Sequence, residues 1–363
     1  MDKPTAPARL RHCCDDQPGI SRQQIKGKWA YFDPDGKRIT DRDEIDRLNG
    51  IALPPAYTDA WFCPFPNGHI QATGRDARGR KQYRYHPDFT SRRDKKKYLG
   101  TIEFGAALPR LRKKVEQDLG AKATSREAVL AAVVRLLDTE HIRIGNEQYA
   151  KSNKSFGATT LRSRHVRKAG NKLVVKFKGK HGIVRELKMS DARLKRVVSK
   201  VHDLPGQHLF QYLTDDGEAC PVTSADVNDY IREGTGGEFT AKSFRTWGAS
   251  VIAFEQMLTA QQEEARKISL KTVLEPVAEA LGNTPAISRK SYVHPKLIDA
   301  ARDNPKLPLG AIERPRARKY LSSAEVGLLD WLMGKKKRKA KKVDEVVKAA
   351  RTSPAKVAEA VAA

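Results

Sequence analysis

One segment constrains the architecture of this chain more than any other. Thr124-Ser125-Arg126-Glu127 places a threonine and a glutamate three residues apart, a pairing that satisfies two free backbone N–H groups at a helix start. Behind it, Leu130, Val133, Val134 and Leu137 recur at the spacing of one helix face. The pattern predicts a core helix running to about residue 140. Before residue 90 the pattern is different. Lys28-Trp29-Ala30-Tyr31-Phe32, Trp61-Phe62-Cys63, His69-Ile70-Gln71-Ala72-Thr73 and Gln82-Tyr83-Arg84-Tyr85-His86 read as short strands. Tight turns separate them. In Asp33-Pro34-Asp35-Gly36 the proline presets φ and the glycine accepts positive φ. Residues 43–49 read as one short helix, and Pro54-Pro55 excludes another. The first ninety residues are therefore expected to be β-rich, and 1–25 to be polar and irregular.

Beyond the core helix a hairpin is predicted, with strands at 171–177 and 183–188 and a loop at 178–182 that carries two glycines and Lys180 at its tip. A helix over 226–233 follows a Thr223/Ser224 cap. Gly234-Thr235-Gly236-Gly237 is a break and not a phosphate-binding loop, because no Gly-Lys-Ser/Thr follows. Thr240 caps a helix over 241–258, with Lys242 and Arg245 on one face of its start. Cations there oppose the helix dipole at a cost of a few tenths to ~1 kcal/mol, which suggests that a bound anion offsets them. A short helix over 275–281 takes Pro276 in its first turn. Gly282-Asn283-Thr284 then leads into Pro285-Ala286-Ile287-Ser288-Arg289-Lys290-Ser291-Tyr292-Val293-His294-Pro295.

Charge narrows the partners. At 363 residues the chain can bury a sizeable core, and its net charge is +26. Residues 314–363 hold +9 of this, so the body is basic too. A polyanion, most simply nucleic acid, is the expected partner. Residues 335–342 carry seven bases in eight positions and read either as a basic tail adding salt-sensitive DNA affinity or as a solvated spacer. Cys13, Cys14, Cys63 and Cys220 form no Cys-x-x-Cys pair, which argues against a zinc site or a disulfide framework. No stretch of about eighteen apolar residues spans a membrane, and Met1 to Leu10 lacks the apolar core of a signal peptide. A cytoplasmic location is the expectation.

Individually, the chemistry-bearing residues have ordinary readings. A tyrosine near a helix end usually packs, an arginine at Arg143 suits a helix C-terminus, and a lysine on a hairpin tip is usually solvated. Together they form a set. A tyrosine hydroxyl is a poor nucleophile at neutral pH unless cations assist it. Arg143 and Arg245 can offer forked N–H pairs to the oxygens of a phosphodiester in its transition state. Lys180 can protonate a departing 5′-oxygen if neighbouring arginines lower its pKa, and Asn283 can donate a neutral hydrogen bond. No acidic cluster suited to Mg²⁺ accompanies these blocks, so neither metal nor other cofactor is expected. On the strand Arg80-Lys81-Gln82-Tyr83-Arg84-Tyr85, alternation puts Gln82 and Arg84 on one face and Tyr83 and Tyr85 on the other. Either the tyrosines are buried, or the strand lies against a duplex with bases on phosphates and Gln82 at a base edge.

In motif order and spacing, residues 25–300 resemble a type IB DNA topoisomerase of the small bacterial and poxvirus-like class. The family's Arg, Lys, Arg, His or Asn, and Tyr match Arg143 in Ile-Arg-Ile-Gly, Lys180 in Gly-Lys, Arg245 in Lys-x-x-Arg-Thr-Trp-Gly, Asn283, and Tyr292 in Ser-Arg-Lys-Ser-Tyr-Val-His-Pro. Asn283 stands where the poxvirus enzymes carry His, as in bacterial relatives. The resemblance further matches Tyr149, Lys242, Gln82, Tyr83 and Tyr85 to DNA-contacting positions. It implies an α+β fold: a small β-rich N-terminal domain and a larger, mainly α catalytic domain with a β-hairpin, forming a C-shaped clamp on double-stranded DNA. The expected division is an irregular segment 1–25, a DNA-binding domain 26–90, a linker and candidate hinge 91–97, a catalytic domain 98–310 and a basic tail 311–363. The implied activity is ATP-independent relaxation of supercoils through a 3′-phosphotyrosyl link, by a monomer. A tyrosine recombinase shares the Arg-Lys-Arg-Tyr logic, but usually shows His-x-x-Arg where this chain has Lys242-x-x-Arg245, and a helical N-terminal domain. A non-enzymatic basic DNA-binding protein would explain the charge but not five catalytic-type residues in order.

Overall fold

The computed structural model describes residues 9–169, 172–263, 267–306, 308–310 and 312–334. The lysine run at 335–342 and the remainder of the expected tail beyond it lie outside the described residues. The chain divides into two compact units, Met1–Lys97 and Tyr98–Ala363. The fold is α+β.

The first unit is an antiparallel sheet of five strands in the order β2-β1-β3-β4-β5, with β1 at Ile20–Ile25, β2 at Lys28–Phe32, β3 at Thr58–Phe62, β4 at Ile70–Arg75 and β5 at Lys81–Tyr85. β1 corrects the expectation that residues 1–25 are irregular. Its sequence, Ile-Ser-Arg-Gln-Gln-Ile, has little apolar character of its own. It is made a strand by its neighbours: Lys26 and Gly27 both take positive φ (49° and 78°), the two-residue turn that turns β1 back as β2. Helix α1 (Arg42–Gly50), capped by the Asp41 carboxylate, covers the sheet. Ile20, Tyr31, Leu48, Leu53, Phe62 and Ala72 form the core.

Helix α2 (Pro87–Asp118) includes residues 91–97, expected as a linker, in unbroken helix, and the two units divide at its Lys97. The charge that suggested a linker comes from Arg and Lys, which are good helix formers. The second unit is built on α3 (Arg126–Glu140), whose Leu130, Val133, Val134 and Leu137 are all buried. Its cap is Ser125, one residue after the expected Thr124. Around α3 lie α4 (Glu147–Asn153), α5 (Ala192–His202), α6 (Ser224–Thr235), α7 (Ala241–Gln262), α8 (Leu270–Leu281), α9 (Pro285–Ser291), α10 (Pro295–Asp303) and α11 (Ser323–Leu332). β6 (Val166–Ala169), β7 (Lys172–Lys178) and β8 (Val184–Met189) make a three-stranded antiparallel sheet that contains the expected hairpin, and β9 (Gln211–Leu213) pairs with β10 (Ala219–Pro221).

Two boundaries differ from expectation. α8 starts at a Ser269 cap, so Pro276 lies inside it rather than in its first turn. The proline removes one N–H from the ladder, while the buried Val273, Leu274, Val277 and Leu281 hold the helix in place. α11 lies in the stretch expected as tail. Ser322 and Glu325 form its capping box, and Val326, Leu328, Leu329 and Leu332 enter the core. Among the described residues, no helix is long and apolar enough to cross a membrane.

Candidate active site

The site forms where α3 and α8 end. α3 stops at His141, which adopts the left-handed conformation, and the chain turns through buried Ile142 to Arg143. α8 stops at Gly282, and Asn283 follows. The last carbonyls of a helix have no partner within it and carry partial negative charge. Here two arginines from other elements take them. Arg245, on α7 and only 3% exposed, donates through its terminal nitrogens to the carbonyls of His141 and Leu281, the latter at 3.0 Å. Arg185, on β8, donates to Glu279 O at 3.0 Å, Ala280 O at 2.8 Å and Glu140 O at 3.1 Å. The charge expected to need an anion at the start of α7 is thus offset in part by two helix C-termini. Gly248, one turn on from Arg245, lets α7 approach this point. A Cβ there would sit 2.4 Å from the His141 ring.

Tyr292 is set beneath Arg245. α9 opens on a Thr284 cap with Pro285 in its first turn, and Tyr292 closes it, donating its backbone N–H to Ser288 O at 3.0 Å. Buried Val293 and His294 hold the far side, and the His294 ring accepts from Lys296 N as α10 begins. The Arg245 guanidinium carbon lies 4.9 Å from the centre of the half-buried Tyr292 ring. Burial alone would raise the Tyr292 pKa. The charge and hydrogen bond of Arg245, with the charges of Arg143 and Lys242, reverse this and lower it. Burial, then the charge of Arg143, brings Arg245 itself down to about 10, so it stays protonated at neutral pH.

Arg143 donates to Asn283 Oδ1 at 2.7 Å. This leaves the Asn283 Nδ2, buried and without a hydrogen-bond partner in the structure, as the free end of the amide. Arg143, Lys180, Arg185, Arg245 and Gly282 line one open cleft. Lys180 begins the tight turn, Lys180–Gly182, that joins β7 to β8 and in which His181 and Gly182 take positive φ. The structure thus brings Arg143, Lys180, Arg245, Asn283 and Tyr292 to one place. Arg185 escaped the sequence reading. The signal for it was register: Arg185 shares a strand face with Leu187 and Met189, both buried, so it points inward where a solvated arginine would not.

The expected DNA-contacting residues are more dispersed. Lys242 is exposed on the first turn of α7, and Tyr149 on α4 is 53% exposed. In the first unit, Gln82 donates to Asp76 Oδ2 at 3.0 Å. Tyr83 and Tyr85 stack at 5.9 Å, and Tyr83 is 43% exposed, so a buried tyrosine face does not describe it.

The second unit thus sets a tyrosine under a buried arginine, and that arginine also lines a cleft with Arg143, Lys180 and Arg185. Comparison with known proteins supplies the family. The family model for the eukaryotic DNA topoisomerase I catalytic core matches residues 86–308, and that for the bacterial DNA topoisomerase IB N-terminal domain matches residues 28–76. The DNA topoisomerase 1B of Acanthamoeba polyphaga mimivirus is 31% identical over 299 residues, covering 79% of this chain and 89% of the relative. The DNA topoisomerase 1B of Vaccinia virus (strain Copenhagen) is 23% identical over 297 residues, covering 76% and 90%. The chain belongs to the type IB DNA topoisomerase family.

Proposed function

We propose that this enzyme, an isomerase, relaxes positive and negative supercoils in double-stranded DNA by transient cleavage of one strand, without ATP or metal. The Tyr292 oxygen attacks a backbone phosphorus and forms a 3′-phosphotyrosyl bond as the bond to the 5′-oxygen breaks. The phenolic proton passes to solvent. Lys180 supplies the proton that the departing 5′-oxygen takes up. Arg143 and Arg245 stabilise the charge on the non-bridging oxygens, and the free amide of Asn283 adds a neutral donor. In religation the 5′-hydroxyl attacks, Lys180 recovers its proton, and Tyr292 leaves. The phosphotyrosyl link keeps the energy of the broken bond, so no nucleotide is consumed. Exposed Tyr83, with Gln82, Tyr85, Tyr149 and Lys242, contacts the duplex, around which a monomer closes as a C-shaped clamp. The setting is the nucleoid in the cytoplasm, with the basic tail adding salt-sensitive affinity.

The observation that carries this reading is the setting of Tyr292 directly beneath a buried, charged arginine. The test is relaxation of supercoiled plasmid by purified protein in EDTA without ATP. The wild type is expected to relax the plasmid, and Tyr292→Phe to lose at least about 10⁴-fold in rate. Strand-exchange products would indicate recombinase chemistry. DNA binding without relaxation by the wild type would leave a DNA-coating protein and sink the catalytic assignments.

A further inference from the structure

We infer that Arg185 is a positioning residue that sets Lys180 for proton transfer, an inference that rests on the proposed role of Lys180. Lys180 sits between β7 and β8 on a turn whose neighbours Ile183 and Val184 are exposed. Such a turn has little packing of its own to hold it, and a proton donor must sit within hydrogen-bond reach of the oxygen it serves. The β7 strand is anchored by buried Phe177 and by the Phe156 N–H bond to Lys178 O at 2.8 Å, and on the β8 side the hairpin is attached to the helices by Arg185. Its Nη1 donates to Glu279 O, and its Nη2 donates to both Ala280 O and Glu140 O. One planar guanidinium therefore ties the hairpin to the ends of two helices at once. Those ends are the points from which the chain runs on to the other members of the cleft: α3 leads to Arg143, and α8 leads through Gly282 to Asn283.

The chemistry of the contact suits the task. Carbonyls at two helix C-termini favour a cation, and a guanidinium can serve three of them in a fixed plane where an ammonium cannot. The side chain also lies against the chain around both ends of the cleft. The position of a Cβ on Gly179 falls 3.7 Å from Arg185 Cγ, and that on Gly282 falls 3.4 Å from Arg185 Nη1. Arg185 thus spans from the residue before Lys180 to the residue before Asn283. It is not a catalytic residue, since its terminal nitrogens are committed to protein carbonyls.

The test separates proton donation from every other role. Single-turnover cleavage would be followed on two duplexes that differ in one atom: a bridging 5′-oxygen or a bridging 5′-sulfur at the scissile phosphate. A thiolate leaves without a proton, so the sulfur duplex does not need Lys180. Arg185→Gln is expected to slow cleavage of the oxygen duplex by about 10²-fold, the effect of a misplacement of about 1 Å, and to cleave the sulfur duplex near the wild-type rate. Lys180→Ala should show the same selective rescue. Arg185→Lys, which keeps the charge and the fold but not the plane, should fall between wild type and Arg185→Gln on oxygen only. Equal slowing on both duplexes in Arg185→Lys, or wild-type rates on oxygen in both Arg185 variants, would overturn the proposal. If wild type cleaves but Lys180→Ala is not rescued by sulfur, the role of Lys180 falls and this inference falls with it. Rescue of Lys180→Ala without rescue of either Arg185 variant would overturn the inference alone.

Discussion

Two of the antiparallel hairpins, one in each unit, have turns that are braced in opposite ways. Strand β5 has distant contacts, Lys81 to Asp15 and Arg84 to Ala52 O, but the turn of the β4–β5 hairpin in the first unit is held by its own residues. Asp76 accepts from the backbone N–H groups of Arg78 and Arg80 and from the side chains of Arg80 and Gln82, all within six residues. Arg80, foremost among these, holds the Asp76 carboxyl down at about 2. The β7–β8 hairpin of the second unit is held from a distance. Arg185 reaches carbonyls 45, 94 and 95 residues away in the chain. The first hairpin presents Tyr83 to solvent, and the second carries Lys180 into the cleft. A side chain that only has to be displayed can rely on local bracing. One that must meet other groups within a fraction of an ångström needs attachment to the elements that carry those groups.

This contrast can be broken at three points. The largest effect is expected at Arg112, the non-local brace of the second unit as a whole. It donates to both oxygens of Asp138 and of Glu325, and Glu325 also accepts from the Trp247 indole at 3.0 Å. Arg112→Gln leaves two buried carboxylates without their cation, and should cost about 3–5 kcal/mol in urea unfolding of the second unit. Loss of less than about 1 kcal/mol would mean that distant bracing is dispensable here. A smaller effect is expected at Tyr83. Tyr83→Ala should weaken duplex binding by roughly tenfold while leaving the cleavage rate at saturating DNA within about twofold. A slower cleavage step with unchanged affinity would erase the distinction between the hairpins.

The smallest effect concerns His165, beside the second hairpin. Its Nδ1 accepts from Arg162 N at 3.0 Å, and its ring lies 4.5 Å from Phe156. Burial, with the charges of Arg164 and Arg162, lowers its pKa to about 4, against about 6.5 when unfolded. The unfolded chain therefore binds the proton first as pH falls. Stability from this group is full above about pH 6.5 and is lost as pH drops toward 4. Melting temperature measured from pH 7.5 to 4.5 should fall, and His165→Gln should flatten that fall by roughly a few degrees. An unchanged slope in the variant would show that His165 is not the group that titrates.

The same local-to-distant distinction marks what could be read from the sequence. The helix behind Ser125, the turn at Asp33-Pro34-Asp35-Gly36, the α7 start at Thr240 and the hairpin around Lys180 all declare themselves within a few residues, and each is present. The five clustered residues were legible as a set through their order and spacing, although no single one was informative alone. What remained hidden depends on partners far away. β1 owes its extended form to β2 and β3, not to its own residues. α11 was masked by the lysines that follow it, and α8 by a proline that its buried face tolerates. Arg185 and Arg112 are unremarkable until their carbonyl and carboxylate partners are placed beside them.

Arg112 and Glu325 are separated by 213 residues, and this distance sets a timetable during synthesis. While the ribosome is still extending the chain, α2 and α3 can form early, but the guanidinium between them has only Asp138 as a counter-charge. Glu325 arrives after all of the cleft residues have been made. Until then the second unit holds a partly neutralised cation at the place that α11 will cover, and the Trp247 indole lacks its acceptor. Nascent chains are therefore expected to reach their closed core only once residues through 332 have been made, after Tyr292 has already been added.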